Sequence, residues 1–267
     1  MPGRTIRRIL TRIATFVGAY GIVLFLATYL PPAMFQLFAI GWTLLAFFSA
    51  LFLLDMIVPW FNVLTPAISR LPRDAGNAVA LTFDDGPVEP YTREILDTLD
   101  RRGAKATFFC LGRNVEKHPE LTREIVRRGH AIGNHTYSHR ILPYLTPAAC
   151  RAEISHGRDV IERVSGVRPT LVRAPKGYKS PLVNWIISRM GGKLIGFSYP
   201  IFDTQNPPVE ELVSRVLSRV RAGDIIVMHD GYSPDGSGER SSLVTALDPI
   251  LDGFEKKGLR TVTLDSL

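Results

Sequence analysis

The chain changes character once along its length. Over 13–58 apolar residues follow one another with almost no polar break, whereas over 77–264 short apolar runs alternate with amphipathic stretches. Segments 13–30 and 33–54 carry no charged residue, and a helix crossing a bilayer needs about 20 apolar residues. Pro31-Pro32 divides them. Pro32 has no N–H to give, and each ring pushes the residue before it out of the helical region. Residues 1–58 are therefore predicted to form a pair of transmembrane helices joined by a tight turn. A cleaved signal peptide is the main alternative: the basic start fits it, but the apolar core exceeds the usual ~7–15 residues and no small-x-small cleavage site follows. A hairpin entering a single leaflet is a second.

After a linker at 59–76, the pattern switches repeatedly between the period of a strand and that of a helix. Strands are predicted at 79–83, 106–111, from His130, and at 170–173, 193–199, 224–229 and 260–264. Helices fall between them at 89–102, 113–128, 147–165, 181–190, 209–221 and 242–257. This alternation predicts that 77–267 form an α/β domain with a parallel sheet. The pattern by itself leaves a closed barrel and an open doubly wound sheet as alternatives.

The 267 residues carry a formal net charge of +7, with a pI of about 9.6. Arg4, Arg7, Arg8 and Arg12 precede the apolar region, and Arg70 and Arg73 follow it. Basic flanks stay in the cytoplasm, and two crossings return the chain to the side it left. The expected location is a bacterial-type inner (cytoplasmic) membrane, multi-pass, with the domain on the cytoplasmic side. The lipid bilayer is then a partner, and Trp60 and Phe61 are interfacial anchors. The remaining basic residues are scattered beside acids on predicted helix faces. There is neither a ribonucleoprotein motif nor zinc-finger spacing, so no nucleic-acid partner is expected. Cys110 and Cys150, without CxxC spacing, read as buried thiols in a reducing compartment rather than as a disulfide.

In parallel α/β sheets functional groups gather at the carboxyl ends of the strands. Asp84 with Asp85, His135 with His139, Arg173, Asp203 and His229 each fall just after a predicted strand, so they can converge on one rim. Two histidines four apart face the same way on a helical turn. With one carboxylate they make a three-ligand set that leaves metal positions open for water and a substrate carbonyl. Adjacent acids in an extended segment point different ways, so one can bind metal while its neighbour handles a proton. Arg173 can hold that neighbour as a base. His229 can protonate a leaving amine, with either Asp203 or Asp230 behind it. The turn-rich stretch 233–240 reads as a lid over the site or an ordinary loop.

Leu81-Thr82-Phe83-Asp84-Asp85-Gly86, His135-x-x-x-His139, Arg173-Ala174-Pro175-Lys176-Gly177, the run from Phe197 to Asp203 and the run from Ile225 to His229 resemble, in order, the five motifs of the NodB-homology polysaccharide deacetylases, carbohydrate esterase family 4. The resemblance spans 78–264. It implies a distorted (β/α)7 barrel, the NodB-homology domain, and N-deacetylation of an amino sugar. It makes Asp84 the general base, and Asp85, His135 and His139 the ligands of one divalent metal, zinc first with cobalt, nickel or manganese as alternatives. Arg173 would orient Asp84, and Asp203 would orient the general acid His229. Lys176, Gly177 and Tyr178 would form the substrate and oxyanion segment, with the Lys176 N–H as donor.

Lys176 stands where the family usually has an aromatic residue, and Pro200 and Thr204 where it often has Asp and Trp. The sugar-stacking surface is therefore expected to differ, and Lys176 is either surface variation or a cation for a substrate phosphate. The expected substrate is an N-acetylated amino sugar of a glycan or of a polyprenyl-phosphate-linked saccharide at the membrane. The alternatives are deformylation of a lipid-linked sugar, deacetylation of an extracytoplasmic peptidoglycan or chitin-like polymer, and a non-catalytic sugar-binding role.

Overall fold

The computed structural model describes residues 21, 25, 29, 31–58, 61–232 and 238–265. The chain divides into two compact units, one ending at Leu53 and the other beginning at Leu54. Helix α1 (Pro32–Ile57) starts on the second of the two prolines, where a missing N–H has no helical partner to lose. Its 26 residues extend about 39 Å, more than the ~30 Å of a bilayer's hydrocarbon core. Among the described residues it is the one helix long and apolar enough to cross a membrane. The other expected span, 13–30, lies outside the described residues except for Gly21, Phe25 and Tyr29. Among the described residues one such helix, α1, stands where a pair is expected.

In the second unit β1 (Ala78–Asp84) is buried at every residue, as a central strand covered on both faces must be. On one side it pairs with β2 (Ala106–Cys110), followed outward by β3 (Ala131–Asn134), β4 (Leu171–Val172) and β5 (Lys193–Leu194). On the other side it pairs with β6 (Ile225–His229), while β7 (Arg260–Thr261) joins the start of β1. All these pairings are parallel. An isolated parallel bridge between Tyr199 and Ile226 links the chain beyond β5 back to β6. The sheet is a parallel half-barrel.

Side chains alternate across each strand. Val79, Leu81 and Phe83 face the helices and join Phe108, Ile226 and Met228 in the outer core. Ala78 and Ala80 face inward with Phe109, Ile225 and Val227. The same period continues the inner row to Thr82, Asp84 and His229, so it turns polar at the carboxyl end. Register sets Asp84 opposite His229, and Asn134 opposite both Cys110 and Val172. The strand ends are thus level, and the residues that follow them share one rim.

The covering helices are α2 (Tyr91–Arg101), α3 (Gly112–Lys117), α4 (Pro119–Arg127), α5 (Pro147–Ser165), α6 (Pro181–Arg189), α7 (Val209–Leu217) and α8 (Ser241–Lys256). Two of them carry full start signals. Thr146 Oγ1 and Ser180 Oγ accept the N–H groups of Ala149 and Val183 at 3.3 Å, with proline at the next position.

Two expectations need correction. The single helix over 113–128 is two helices, because Pro119 forces His118 out of the helical region. The strand over 193–199 pairs regularly only at Lys193–Leu194. Beyond it the Gly196 N–H donates to Ile68 O while Gly196 O accepts from Arg173, so that backbone is committed elsewhere. Residues 61–76 pack onto the sheet, with bridges from Ile68 to Ile195 and from Arg70 to Asp224. Cys110 and Cys150 are both buried and free, as their isolation in the sequence implies.

Candidate active site

Asp84 ends β1, and its Oδ1 accepts from Arg173 Nη1 at 2.8 Å. Arg173, one residue beyond β4, is fully buried. Its Nη1 also donates to Thr82 Oγ1 at 2.6 Å and its Nη2 to Gly196 O at 2.9 Å, and the guanidinium lies 4.1 Å from the centre of the Phe109 ring. Charge-assisted hydrogen bonds of this kind fix orientation. They leave Asp84 Oδ2 on the side of His135, 3.9 Å from Nε2.

Asp85 adopts a left-handed φ of 75° and turns out of the line of the strand. The next residue has to be glycine, since a Cβ at Gly86 would lie 2.0 Å from Asp230 Oδ2. Asn114 Nδ2 holds the Asp85 carbonyl at 2.6 Å. Asp85 Oδ1 lies 3.4 Å from His135 Nε2 and 3.2 Å from His139 Nε2.

The two histidines are not on a helical turn, contrary to expectation. The loop bends through left-handed Thr136 and His139 (φ 72° and 64°). It is held by Thr136 N–H to Asn134 Oδ1 at 2.9 Å, His139 N–H to Thr136 Oγ1 at 3.2 Å, and Ser138 to the Glu153 carboxylate. Helix α5 packs so closely that a Cβ on Gly157 would lie 2.5 Å from Asn134 Oδ1.

Asp85, His135 and His139 place one ligand atom each within 4.8 Å of the others. Asp85 Oδ1 is buried without a protein hydrogen bond, although buried acceptors are almost always satisfied. An orphaned carboxylate oxygen beside two imidazole nitrogens fits a divalent cation, and three N/O ligands are the pattern of a catalytic rather than a structural zinc site. His135 Nδ1–H donates to Arg173 O at 2.9 Å, which reserves the Nε2 lone pair for a metal. Burial pushes His139 down to about 3, so its ring is neutral. Burial pushes the Asp85 carboxyl up, but His135 beside it, and then the charge of His229, hold it well below the usual carboxylate range. Both groups are in their ligating forms at neutral pH.

His229 ends β6. Its Nδ1 lies 2.9 Å from Asp203 Oδ1, and its backbone N–H donates to Asp203 Oδ2 at 2.7 Å. Burial pulls the His229 pKa down, but the charge and hydrogen bond of Asp203, with Asp85 and Asp84 behind, carry it up to about 9. Of the two carboxylates that the sequence offers as its partner, the structure selects Asp203. Asp230 instead accepts from Gly86 N–H at 3.1 Å and Thr92 Oγ1 at 2.6 Å, and burial pushes it up to about 7.

These groups open on a cavity of about 240 Å³, with Lys176 and Gly177 on its rim and Phe197, Ile201, Phe202 and Val227 as an apolar wall. Lys176 has a left-handed φ of 61° and an exposed side chain, and its N–H has no hydrogen-bond partner among the described residues. Tyr178 is outside this lining; its N–H closes the turn onto Pro175 O at 3.2 Å. Pro200 and Thr204 do line the cavity, and between them Phe202 stands half exposed.

Sequence reasoning missed the supports: Thr82, Asn114, Asn134 and Glu153. Only Thr82 carried a signal, as the inward-facing residue two before Asp84. The expected lid, 233–240, has residues 233–237 outside the described set, while Arg240 is buried and donates from Nε to Gly231 O at 2.9 Å.

A buried carboxylate and two histidines able to hold a metal, set between an Arg-held carboxylate and a His–Asp pair, mark the site of a metal-dependent hydrolase built on a parallel sheet. The chain belongs to the polysaccharide deacetylases, carbohydrate esterase family 4, and is a carbohydrate deacetylase that hydrolyses an N-acetyl amide bond. The polysaccharide deacetylase profile matches residues 72–195. A peptidoglycan-N-acetylglucosamine deacetylase of Bacillus cereus is 35% identical over 191 residues, 71% of this chain and 87% of that protein. A chitooligosaccharide deacetylase of Azorhizobium caulinodans is 31% identical over 68% of this chain and 90% of its own. The crystal structure of a peptidoglycan N-acetylglucosamine deacetylase superposes with a TM-score of 0.69 at 34% identity, covering 74% of this chain and 90% of that one.

Proposed function

We propose that the protein removes the N-acetyl group from an amino sugar of a peptidoglycan- or chitooligosaccharide-type glycan, at a membrane in which α1 is the anchor. The observation that carries the chemistry is the placing of Asp84–Arg173 and His229–Asp203 on one cavity with the Asp85, His135 and His139 set. Asp85, His135 and His139 would hold a divalent ion, zinc first by its donor set, which when bound would supply Lewis acidity and lower the pKa of water towards about 7. Asp84, fixed by Arg173 at Oδ1, takes the proton of the attacking water. The Lys176 N–H donates to the developing oxyanion, a contact typically worth ~10²–10³ in rate. His229, with Nδ1 on Asp203, gives a proton from Nε2 to the leaving nitrogen as the C–N bond breaks, so acetate and a free amine depart.

Because His229 acts in its protonated form, activity is expected to fall on the alkaline side as pH rises through a limb near pH 9. Asp203→Asn keeps the shape and removes the charge, leaving burial to act on His229, so the limb is expected to move to lower pH. A pH profile of kcat/KM on a soluble N-acetylated oligosaccharide checks this; an unmoved limb would assign it to another group.

The names of the matched relatives support a glycan substrate. A lipid-linked amino sugar reached from the cytoplasmic face is the second reading, favoured by Lys176, an exposed cation on the cavity rim suited to a phosphate. Acetate release should be measured on peptidoglycan, on chitooligosaccharide and on a polyprenyl-phosphate-linked N-acetyl sugar, with formate release from an N-formyl sugar as the deformylase arm. Acetate from the first two supports the primary reading, and acetate from the third alone supports the second. A chain that binds these glycans and releases neither acid would be a sugar-binding protein. Alkaline phosphatase fused after Leu267 reports the side: activity there places the domain outside the cytoplasm and removes the second reading.

A further inference from the structure

Outside the cavity lining, the second unit exposes four apolar side chains in two neighbouring segments. Leu182 and Trp185 on α6 are 44% and 56% exposed, and Val63 and Leu64 are 57% and 39% exposed. Leu182 and Trp185 lie three apart and share one side of α6. Exposed Arg189 continues that side by a further turn, while Val183, Ile186 and Ile187 are buried on the other. Lys179, itself buried, ties the two segments together. Its Nζ donates to Phe61 O at 3.1 Å, Asn62 Oδ1 at 2.5 Å and Thr65 O at 3.1 Å, and its N–H donates to Met56 O at 3.1 Å. Asp55 Oδ1 accepts the N–H groups of Val63 and Leu64 at 2.8 and 2.9 Å. The chain that leaves the last turn of α1 is therefore bound beside the start of α6 and presents Val63 and Leu64 there.

The start of α6 has a defined place in the fold. A helix that follows a strand of a parallel sheet begins at the strands' carboxyl ends, and the link from β4 to α6 is the segment that carries Arg173 and Lys176. The apolar side thus begins at the same end of the sheet as the cavity, a few residues beyond Lys176 and Gly177 on its rim. We infer that Val63, Leu64, Leu182 and Trp185 seat on the surface of the bilayer, with Trp185 at headgroup level, and hold the cavity mouth at the membrane. This rests on the membrane reading proposed above for α1. A bilayer is the occupant because the segment that carries Val63 and Leu64 follows within a few residues of the last turn of an apolar helix, where Met56 O accepts from Lys179 N–H. A tryptophan among aliphatic side chains with a flanking arginine is also the composition that membrane–water interfaces accept.

The test uses the full chain in phosphatidylcholine vesicles with and without brominated acyl chains. Trp42→Phe with Trp60→Phe leaves Trp185 as the sole tryptophan, and Trp60→Phe with Trp185→Phe leaves Trp42. Brominated lipid is expected to remove most of the Trp185 emission, with acetate release from a soluble chitooligosaccharide unchanged. Leu182→Cys carrying an environment-sensitive label gives the same reading without touching a tryptophan, and its emission is expected to shift to the blue in vesicles. If Trp42 is quenched while Trp185 keeps its emission, the seating is overturned and the anchor stands, with a protein partner then indicated for this face. If neither is quenched, the membrane reading falls as well.

Discussion

Asp84→Asn is expected to lower kcat by roughly 10²–10⁴-fold, the range associated with loss of a positioned proton acceptor, while the protein still binds its metal. The two effects separate because of how Asp84 is held. It is not one of the three ligand residues, and its Oδ1 is taken by Arg173 Nη1 at 2.8 Å. An amide oxygen can accept that same bond, so orientation survives and basicity does not. Arg173 keeps Thr82, Gly196 and the Phe109 face as partners. It loses its counter-charge, however, and one-sided removal of a buried pair partner typically costs up to about 3–5 kcal/mol. The assay therefore pairs acetate release with metal content and a thermal melt. A folded, metal-loaded variant without turnover is the expected result. Unimpaired acetate release would place the base elsewhere.

How much of this was legible in the sequence depends on which interactions carry the information. Strand and helix positions in 77–267 were readable because burial on two faces makes strands such as β1 wholly apolar until the inner row reaches Thr82 and Asp84. Boundaries failed where one residue overrode the pattern, at Pro119 and at Gly196. Convergence of the site residues on one rim also follows from strand ends, and register sets Asp84 beside His229. The geometry of the histidine loop was not legible. Spacing alone favours a helical turn, whereas its left-handed Thr136 and His139 answer to Asn134, Thr136 and Glu153. The choice of Asp203 over Asp230 behind His229 was equally hidden, because it turns on Gly86 and Thr92 claiming Asp230 from across the sheet. The return of the sheet to β6 rests on the Tyr199–Ile226 bridge and on Ser198, whose N–H donates to Ile225 O and whose Oγ accepts from Ile225 N–H, contacts with no local signature.

His139→Ala is expected to strip the metal and, with it, activity. Removing one of three ligand side chains leaves Asp85 and His135. The affinity loss should exceed the ~10–100-fold typical of mutating a group that merely orients a ligand. The backbone complicates alanine, because His139 has a φ of 64° and left-handed geometry costs a residue with a Cβ roughly 1–2 kcal/mol. His139→Gly removes that strain while removing the same ring, so the two variants should differ in thermal stability and agree in metal content. The glycine variant also leaves room for a free imidazole in the buried place of the lost ring. Added imidazole is therefore expected to restore part of the metal binding and of the acetate release to His139→Gly, and less to His139→Ala. Stoichiometric metal in either variant without imidazole would remove His139 from the ligand set and leave its burial beside Asp85 Oδ1 to be explained by packing alone.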